Sequence, residues 1–140
     1  MKTEMRQPRI SAVLVGDAMH RGVFTCEREA LLSEVAATMV SESIHCVVVE
    51  GDNGEGGPPW GIVSDLDLIA AATVRVLDEQ TAGASAATPV VTVSPTETLA
   101  RAAQLMTENS TSHLVVVDHE QQLPLGVLST LDIAAILANA

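Results

Sequence analysis

Aromatic side chains are almost missing from this chain. Its 140 residues include one Phe (Phe24), one Trp (Trp60) and no Tyr. Hydrophobic residues still reach 47%, so the core must be aliphatic, built from Val, Leu, Ile, Ala and Met, and disorder is excluded for most of the length. Basic side chains are also scarce: seven Lys and Arg face eighteen Asp and Glu, for a formal net charge of −11. The deficit is spread along the chain, five against eleven in residues 1–70 and two against seven in 71–140. Neutralisation of phosphates by Lys and Arg dominates nucleic-acid affinity, so the lack of a basic patch argues against DNA or RNA as partner, and against an anionic membrane surface for the same reason. Cysteine is limited to Cys26 and Cys46. Neither lies in a C-x-x-C, and they read as small buried apolar residues in a reducing cytoplasm rather than as a disulfide or a zinc site. No apolar run reaches the length of a membrane span. Met1–Arg9 lacks the apolar centre of a signal peptide, and the expected location is the cytoplasm.

What the chain does have is a repeat. Phe24-Thr25-Cys26 matches Val91-Thr92-Val93, and Val35–Met39 matches Ala102–Met106, both at an offset of 67. His45-Cys46-Val47-Val48-Val49 matches His113-Leu114-Val115-Val116-Val117 at 68, and Gly61–Leu68 matches Gly126–Ile133 at 65. The drift belongs in loops, chiefly in the Gly/Pro-rich stretch Gly51–Pro59, read as a longer turn in the first copy.

Each copy reads as strand, helix, strand, strand, helix, an α/β (α+β) unit. Leu31, Val35 and Met39 fall on one face of a helix over Leu31–Val40, as do Leu99, Ala102, Ala103 and Met106 in the second copy. Cys46–Val49 and Leu114–Val117 are unbroken apolar runs, expected as strands buried on both faces. Helices follow at Asp65–Val74 and Thr130–Ala138. A copy of some sixty residues is small for independent stability, so two packed sheet to sheet should share a core. The expected organisation is an arm over residues 1–11, a first domain over 12–74, a polar linker over 75–87 and a second domain over 88–140.

The pattern G-h-h-[ST]-x-x-D (h apolar), present twice at the end of a strand–strand–helix unit, resembles the CBS domain, named after cystathionine β-synthase. The upstream Thr, the Met-ended helix and the Val-rich strand recur with it, and the resemblance covers roughly residues 12–138. It implies a tandem pair, or Bateman module: a regulatory unit binding AMP, ADP, ATP, S-adenosylmethionine or another adenosyl ligand in two pseudo-symmetric clefts, commonly as a homodimer and acting on a protein partner.

The candidate ligand residues follow from the motif. Ser64 and Ser129 precede helices whose first-turn N–H groups offer an anion site. Asp67 and Asp132, one turn along, suit the two hydroxyls of a ribose. The same S-x-x-D spacing is also a helix capping box. His45 and His113 stand where nucleotide-binding relatives often carry Arg, a departure from that pattern with two readings: a protonated imidazole donating to phosphate, or a half-buried histidine bonded to a backbone carbonyl. The resemblance also has Thr25 and Thr92 reach the cleft of the opposite copy. One cleft is then expected to combine His45, Ser64 and Asp67 with the stretch around Thr92, and the other His113, Ser129 and Asp132 with the stretch around Thr25. His20-Arg21 precedes the first strand, where the second copy has Thr88-Pro89. The second-motif cleft should therefore hold the positive charge, with Arg28 a further contributor. Met39 and Met106 read as core fillers, and Trp60 as a cleft cover or a dimer contact. Absence of G-x-S-x-G, H-E-x-x-H or a metal-ligand spacing argues against an enzyme. The competing reading is a ligand-free interaction module working through dimerisation.

Overall fold

A computed structural model describes residues 9–52 and 54–139 of the chain. After a 3-10 turn at Arg9–Ser11 come α1 (Val15–Ala18), β1 (His20–Arg21), β2 (Thr25–Cys26), α2 (Leu32–Glu42), β3 (Cys46–Gly51), β4 (Gly54–Ser64) and α3 (Asp65–Ala72). A second 3-10 turn at Leu77–Glu79 leads to α4 (Ala82–Ser85), β5 (Thr92–Val93), α5 (Leu99–Asn109), β6 (His113–Val117), β7 (Pro124–Ser129) and α6 (Thr130–Ala138). The expected order is present in both copies, with a four-residue helix added in front of each.

The two long helices start and stop alike. Each buries one face, Leu32, Val35 and Met39 on α2 and Leu99, Ala102 and Met106 on α5. Each ends at a serine in the left-handed conformation, Ser43 (φ 55°) and Ser110 (φ 51°). The next amides, of Ile44 and Thr111, turn back to donate to the Met39 and Met106 carbonyls at 3.0 Å. These landmarks keep the 67-residue offset past the helices, and the strands retain it. Thr25 lies opposite Val48 and Thr92 opposite Val115; Cys46 pairs with Ser64 and His113 with Ser129. The structural counterpart of His113 is therefore Cys46, and that of His45 is Ser112. The expected match of the two histidines is one residue out of register.

Among the described residues the strands form two sheets, β2-β3-β4 and β1-β7-β6-β5. In each, a short parallel pair (β2 with β3, β5 with β6) stands beside an antiparallel hairpin. The strand preceding each copy crosses to the other: β1 pairs antiparallel with β7, and Ala87 bridges to Ile62. Since Val127 and Ile62 are equivalent, His20 corresponds to Ala87 and Arg21 to Thr88, again one residue from the expected match. The short helices cross with them. Val15 and Gly16 donate to the Glu97 and Pro95 carbonyls at 2.8 and 2.9 Å; Ala82 and Gly83 donate to those of Ala30 and Arg28 at 2.8 Å.

The alternation along β3 and β6 divides the core into three layers. Val47 and Val49 face α2, α3 and α4 with Leu32, Val35, Met39 and Ala82. Leu114 and Val116 face α1, α5 and α6 with Val15, Leu99, Ala102 and Ile133. Val48, Ile62, Val115 and Val117 meet between the sheets, joined by Val23 and Val90. The sheets pack face to face, and both Val-rich strands are buried on both sides as their apolar runs predict.

The Gly/Pro-rich stretch expected as a turn is largely strand. β4 begins at Gly54, and its ladder with β3 is irregular between Val49 and Gly51, so it holds Pro58 and Pro59 on an edge strand where missing donors are tolerated. Residues 1–8 of the expected arm lie outside the described residues, and Ile10 packs on the second core. Within 75–87, Ala82 is fully buried against the first core, and no helix among the described residues is long and apolar enough to cross a membrane.

The motif glycines mark where the crossing strands lie. A Cβ on Gly126 would overlap the His20 carbonyl oxygen, while one on Gly61 would meet the Thr88 methyl at 3.0 Å and the Ala87 carbonyl oxygen at 3.1 Å. Gly126→Ala is expected to cost about 1–3 kcal/mol of stability through overpacking. Gly61→Ala should cost less, because its neighbours need yield only a few tenths of an ångström. Urea unfolding followed by circular dichroism measures both; an inverted order would contradict the crossing of β1.

Candidate ligand clefts

Both S-x-x-D motifs cap their helices. Ser64 Oγ accepts from the Asp67 amide at 3.3 Å, and Asp67 Oδ2 accepts from the Ser64 amide at 2.8 Å and from its hydroxyl at 3.0 Å. Ser129 Oγ accepts from the Asp132 amide at 3.2 Å, and Asp132 Oδ2 accepts from the Ser129 amide at 2.8 Å. The two carboxylates then part ways. Asp132 is buried, and its Oδ1 meets the exposed His20 Nδ1 at 3.0 Å. Asp67 is half-buried, and its Oδ1 has no hydrogen-bond partner among the described residues.

A cavity of about 650 Å³ opens above the α6 N-terminus. The crossing segment His20–Phe24 forms one wall, Ser129–Asp132 another, and Ser43–Cys46 with Asp65 a third. A smaller cavity, about 340 Å³, opens beside α3 and is lined by Ser64, Leu66 and Asp67, by Ala87–Val91 and by Asn109–His113. Ser112 and His113 line both.

The expected grouping is met in one cleft and altered in the other. His20, Arg21, His113, Ser129 and Asp132 come together in the larger cavity. His45 does not join Ser64 and Asp67; it lines the larger cavity and bonds through Nδ1 to Asp65 Oδ2 at 2.9 Å. His113 stands with Ser64 and Asp67 instead. The register explains both placements. His113 shares the inter-sheet face of β6 with Val115 and Val117, between the two cavities, whereas His45 precedes β3 at its exposed end. Thr25 and Thr92 line neither cavity. Each pairs inside its sheet, Thr25 Oγ1 donating to Glu50 at 2.9 Å, and the residues just before them, Val23-Phe24 and Val90-Val91, form the walls. Arg28 lies elsewhere, over the Trp60 ring at 4.4 Å and 3.2 Å from Asp52, with Trp60 packed on the first core.

Sequence reasoning missed Ser43, Asp65, Asn109 and Ser110 at the cavities, and the short helices. The pairs Val15-Gly16 and Ala82-Gly83, 67 residues apart, carried the signal for the latter.

The family model for the CBS domain matches residues 15–73 and again 85–139. The chain belongs to the CBS domain family. No curated protein matches it. Among solved structures, this CBS pair is similar to the CBS domain pair of protein MJ0100 in complex with 5′-methylthioadenosine and S-adenosyl-L-methionine, at 20% identity and TM-score 0.79, covering 91% of this chain and 97% of that one. It is similar to ATU1752 from Agrobacterium tumefaciens at 23% identity and TM-score 0.77, covering 89% and 93%. A third likeness is PAE2072 from Pyrobaculum aerophilum complexed with AMP, at 26% identity and TM-score 0.74, covering 91% and 100%.

Burial governs the ionisation of the CBS pair's inter-sheet residues. It pushes the His113 imidazole below its ordinary range, with Asp65, Asp132 and Asp67 offsetting that only in part and His45 adding to it. His113, bonded to Ser112 Oγ at 3.0 Å, is thus a neutral ring near pH 7 rather than the cation expected for phosphate. Burial also raises the Cys46 thiol to about 12 and, with Glu50 and Glu27, that of Cys26 to about 11. Both are inert thiols. The hydrogen bond from His45 holds Asp65 below the usual carboxylate range.

The sign for His113 follows from linkage. A histidine whose folded pKa is depressed binds fewer protons in the folded state, so its contribution is full above the unfolded value of about 6.5 and is lost as pH falls toward the folded one. Wild type should lose stability between pH 7 and 5, and His113→Gln should flatten that slope. Urea midpoints at three pH values measure it; an unchanged slope would show that His113 titrates freely.

Proposed function

We propose that this CBS pair is a regulatory sensor module that takes an adenine nucleotide or a related adenosyl ligand (AMP, ADP, ATP or S-adenosylmethionine) in the clefts between its repeats. The observation that carries this reading is the meeting of Arg21 with the capped N-terminus of α6 in a cavity of about 650 Å³, within the size range of small-molecule sites. Phosphate has the Arg21 guanidinium and the Leu131 amide to meet there, since the Thr130 amide donates to the Ser112 carbonyl at 3.0 Å and the Asp132 amide to Ser129 Oγ at 3.2 Å. Val23, Phe24 and Val127 supply apolar wall for a base. Complexes of MJ0100 and PAE2072 with adenosyl compounds support the same class of ligand.

One observation favours the alternative of a ligand-free interaction module. Both oxygens of Asp132 are engaged, by the Ser129 amide and by His20, so a ribose would have to displace His20. That side chain is 80% exposed, and its displacement costs little against a charge-assisted bond from a ribose hydroxyl. We read the module as non-enzymatic and cytoplasmic, its output passing to a protein partner.

Calorimetry with AMP, ATP, S-adenosylmethionine and adenosine tests the ligand. Arg21→Ala should weaken AMP by about fivefold, the equivalent of roughly 1 kcal/mol for an exposed ion pair, and leave adenosine unchanged. No heat with any of the four would favour the interaction module.

We also propose that the pair is a homodimer through α3 and α6. Leu66 and Ile69 on α3 are 70% and 62% exposed, and Leu131 on α6 is 70% exposed, with Ala70, Ala134 and Ala135 exposed beside them. Such a face suits a two-fold contact. Light scattering at micromolar concentration should give twice the chain mass for wild type and the single mass for Leu66→Glu with Leu131→Glu; a monomeric wild type would refute it.

A further inference from the structure

The two clefts share one frame and differ in what stands on it. Each opens on a helix N-terminus with a Ser cap and an Asp three residues on, and they differ in one backbone donor, since the Leu66 amide is held by the Asp65 carboxylate while Leu131 follows Thr130. A further difference comes from the crossing segments. In the larger cleft the crossing chain brings His20 and Arg21, and at the equivalent positions of the smaller cleft stand Ala87 and Thr88.

The charges sort accordingly. In the larger cleft each carboxylate already has an imidazole, His20 on Asp132 at 3.0 Å and His45 on Asp65 at 2.9 Å. Arg21 makes no ion pair among the described residues, which leaves its guanidinium for an incoming anion. Among the described residues no Lys or Arg lines the smaller cleft, Asp67 keeps Oδ1 unbonded, and the buried imidazole of His113 is neutral. A phosphate there would face a carboxylate without a counter-charge, in a chain of net charge −11. A pair of ribose hydroxyls would instead find an acceptor in Asp67, and a cationic substituent a partner. The smaller volume, about 340 Å³ against about 650 Å³, fits a ligand without the phosphate.

We propose that the smaller cleft is a separate site for an unphosphorylated nucleoside, neutral or cationic at its 5′ position, so that one chain sorts adenosyl ligands by phosphate between two clefts. This rests on the adenosyl-binding reading and adds the division of labour.

Calorimetry on the full chain tests it with AMP and adenosine as titrants. AMP should fill one site per chain, and adenosine should still bind one further site when AMP is saturating. Asp67→Asn, which retains an oxygen acceptor for the cap, should weaken that further adenosine site roughly tenfold and leave AMP unchanged. Thr88→Arg, which places a guanidinium at the position equivalent to Arg21, should raise AMP to two sites per chain. Asn109→Lys, on the exposed rim of the same cleft, gives the same readout if Thr88→Arg does not fold. AMP filling two equal sites in wild type, or no adenosine site left beside saturating AMP, would overturn the division while leaving adenosyl binding intact. No heat from either titrant would remove the adenosyl reading and this inference together.

Discussion

Everything in this molecule depends on the exchange of a short segment between the two repeats. Val15 and Gly16 hydrogen-bond to the loop before α5, and Ala82 and Gly83 to the loop before α2. The close approach is tight for a side chain: a Cβ on Gly16 would meet the Pro95 carbonyl oxygen at 3.1 Å, and one on Gly83 the Arg28 carbonyl oxygen at 3.1 Å, so the neighbours would have to yield by a few tenths of an ångström. Once the helices are docked, the following residues are laid along the far edge of the opposite sheet, over Gly126 and Gly61. That placement creates the clefts, because each is the space between a borrowed segment and the helix that the opposite hairpin launches. The valine seam of Val48, Ile62, Val115 and Val117 holds the sheets together behind them through apolar burial.

Several of the acidic side chains have local partners. Asp65 and Asp132 have histidines, Asp52 has Arg28, and Asp118 accepts from the amides of Glu120 and Gln121 at 2.7 and 3.1 Å. The last arrangement lowers the Asp118 pKa through hydrogen bonds to its charged form. With few bases in the chain, one unpaired arginine or one unpaired carboxylate is enough to set the character of a cleft. Asp67 and Asp132 also close their helices, so a ligand reaching either meets a group already fixed in place by its capping bonds.

Much of this was legible in the sequence. The repeat, the element order and the two-sided burial of the valine strands follow from apolar patterns and motif spacing, and the meeting of His20 and Arg21 with Ser129 and Asp132 from the resemblance to the CBS domain. The register errors were errors of one residue. An unbroken run such as Cys46–Val49 has no period of two to fix its register, so it slides along Leu114–Val117 without changing in character. Two histidines near the run then made a convincing but wrong anchor. The information that fixes register lay in the left-handed Ser43 and Ser110, whose backbone requirement nothing in the residue type announces, since that role usually falls to Gly or Asn. Helices of four residues are too short to carry a period, which hid α1 and α4. The S-x-x-D motif was read both as cap and as ligand site; the caps are formed, and their presence leaves the second role open to the ligand experiments.

The exchange has a mechanical consequence. Residues 23–87 make up one sheet body in a single stretch, and the other is assembled from 9–22 and 88–139, so the bodies are pinned to each other covalently at two places, one beside each cleft. A pair of bodies pinned twice cannot swing freely about either pin, and the valine seam between the sheets opposes their separation. The pins are unlike. Gly22 sits at φ 84° with open space on the side where a Cβ would point, a conformation that other residues rarely adopt, and its amide donates to the Leu125 carbonyl at 2.8 Å, whereas Pro89 locks its own torsion. The glycine pin lies beside the larger cleft, next to Arg21, and the proline pin beside the smaller one.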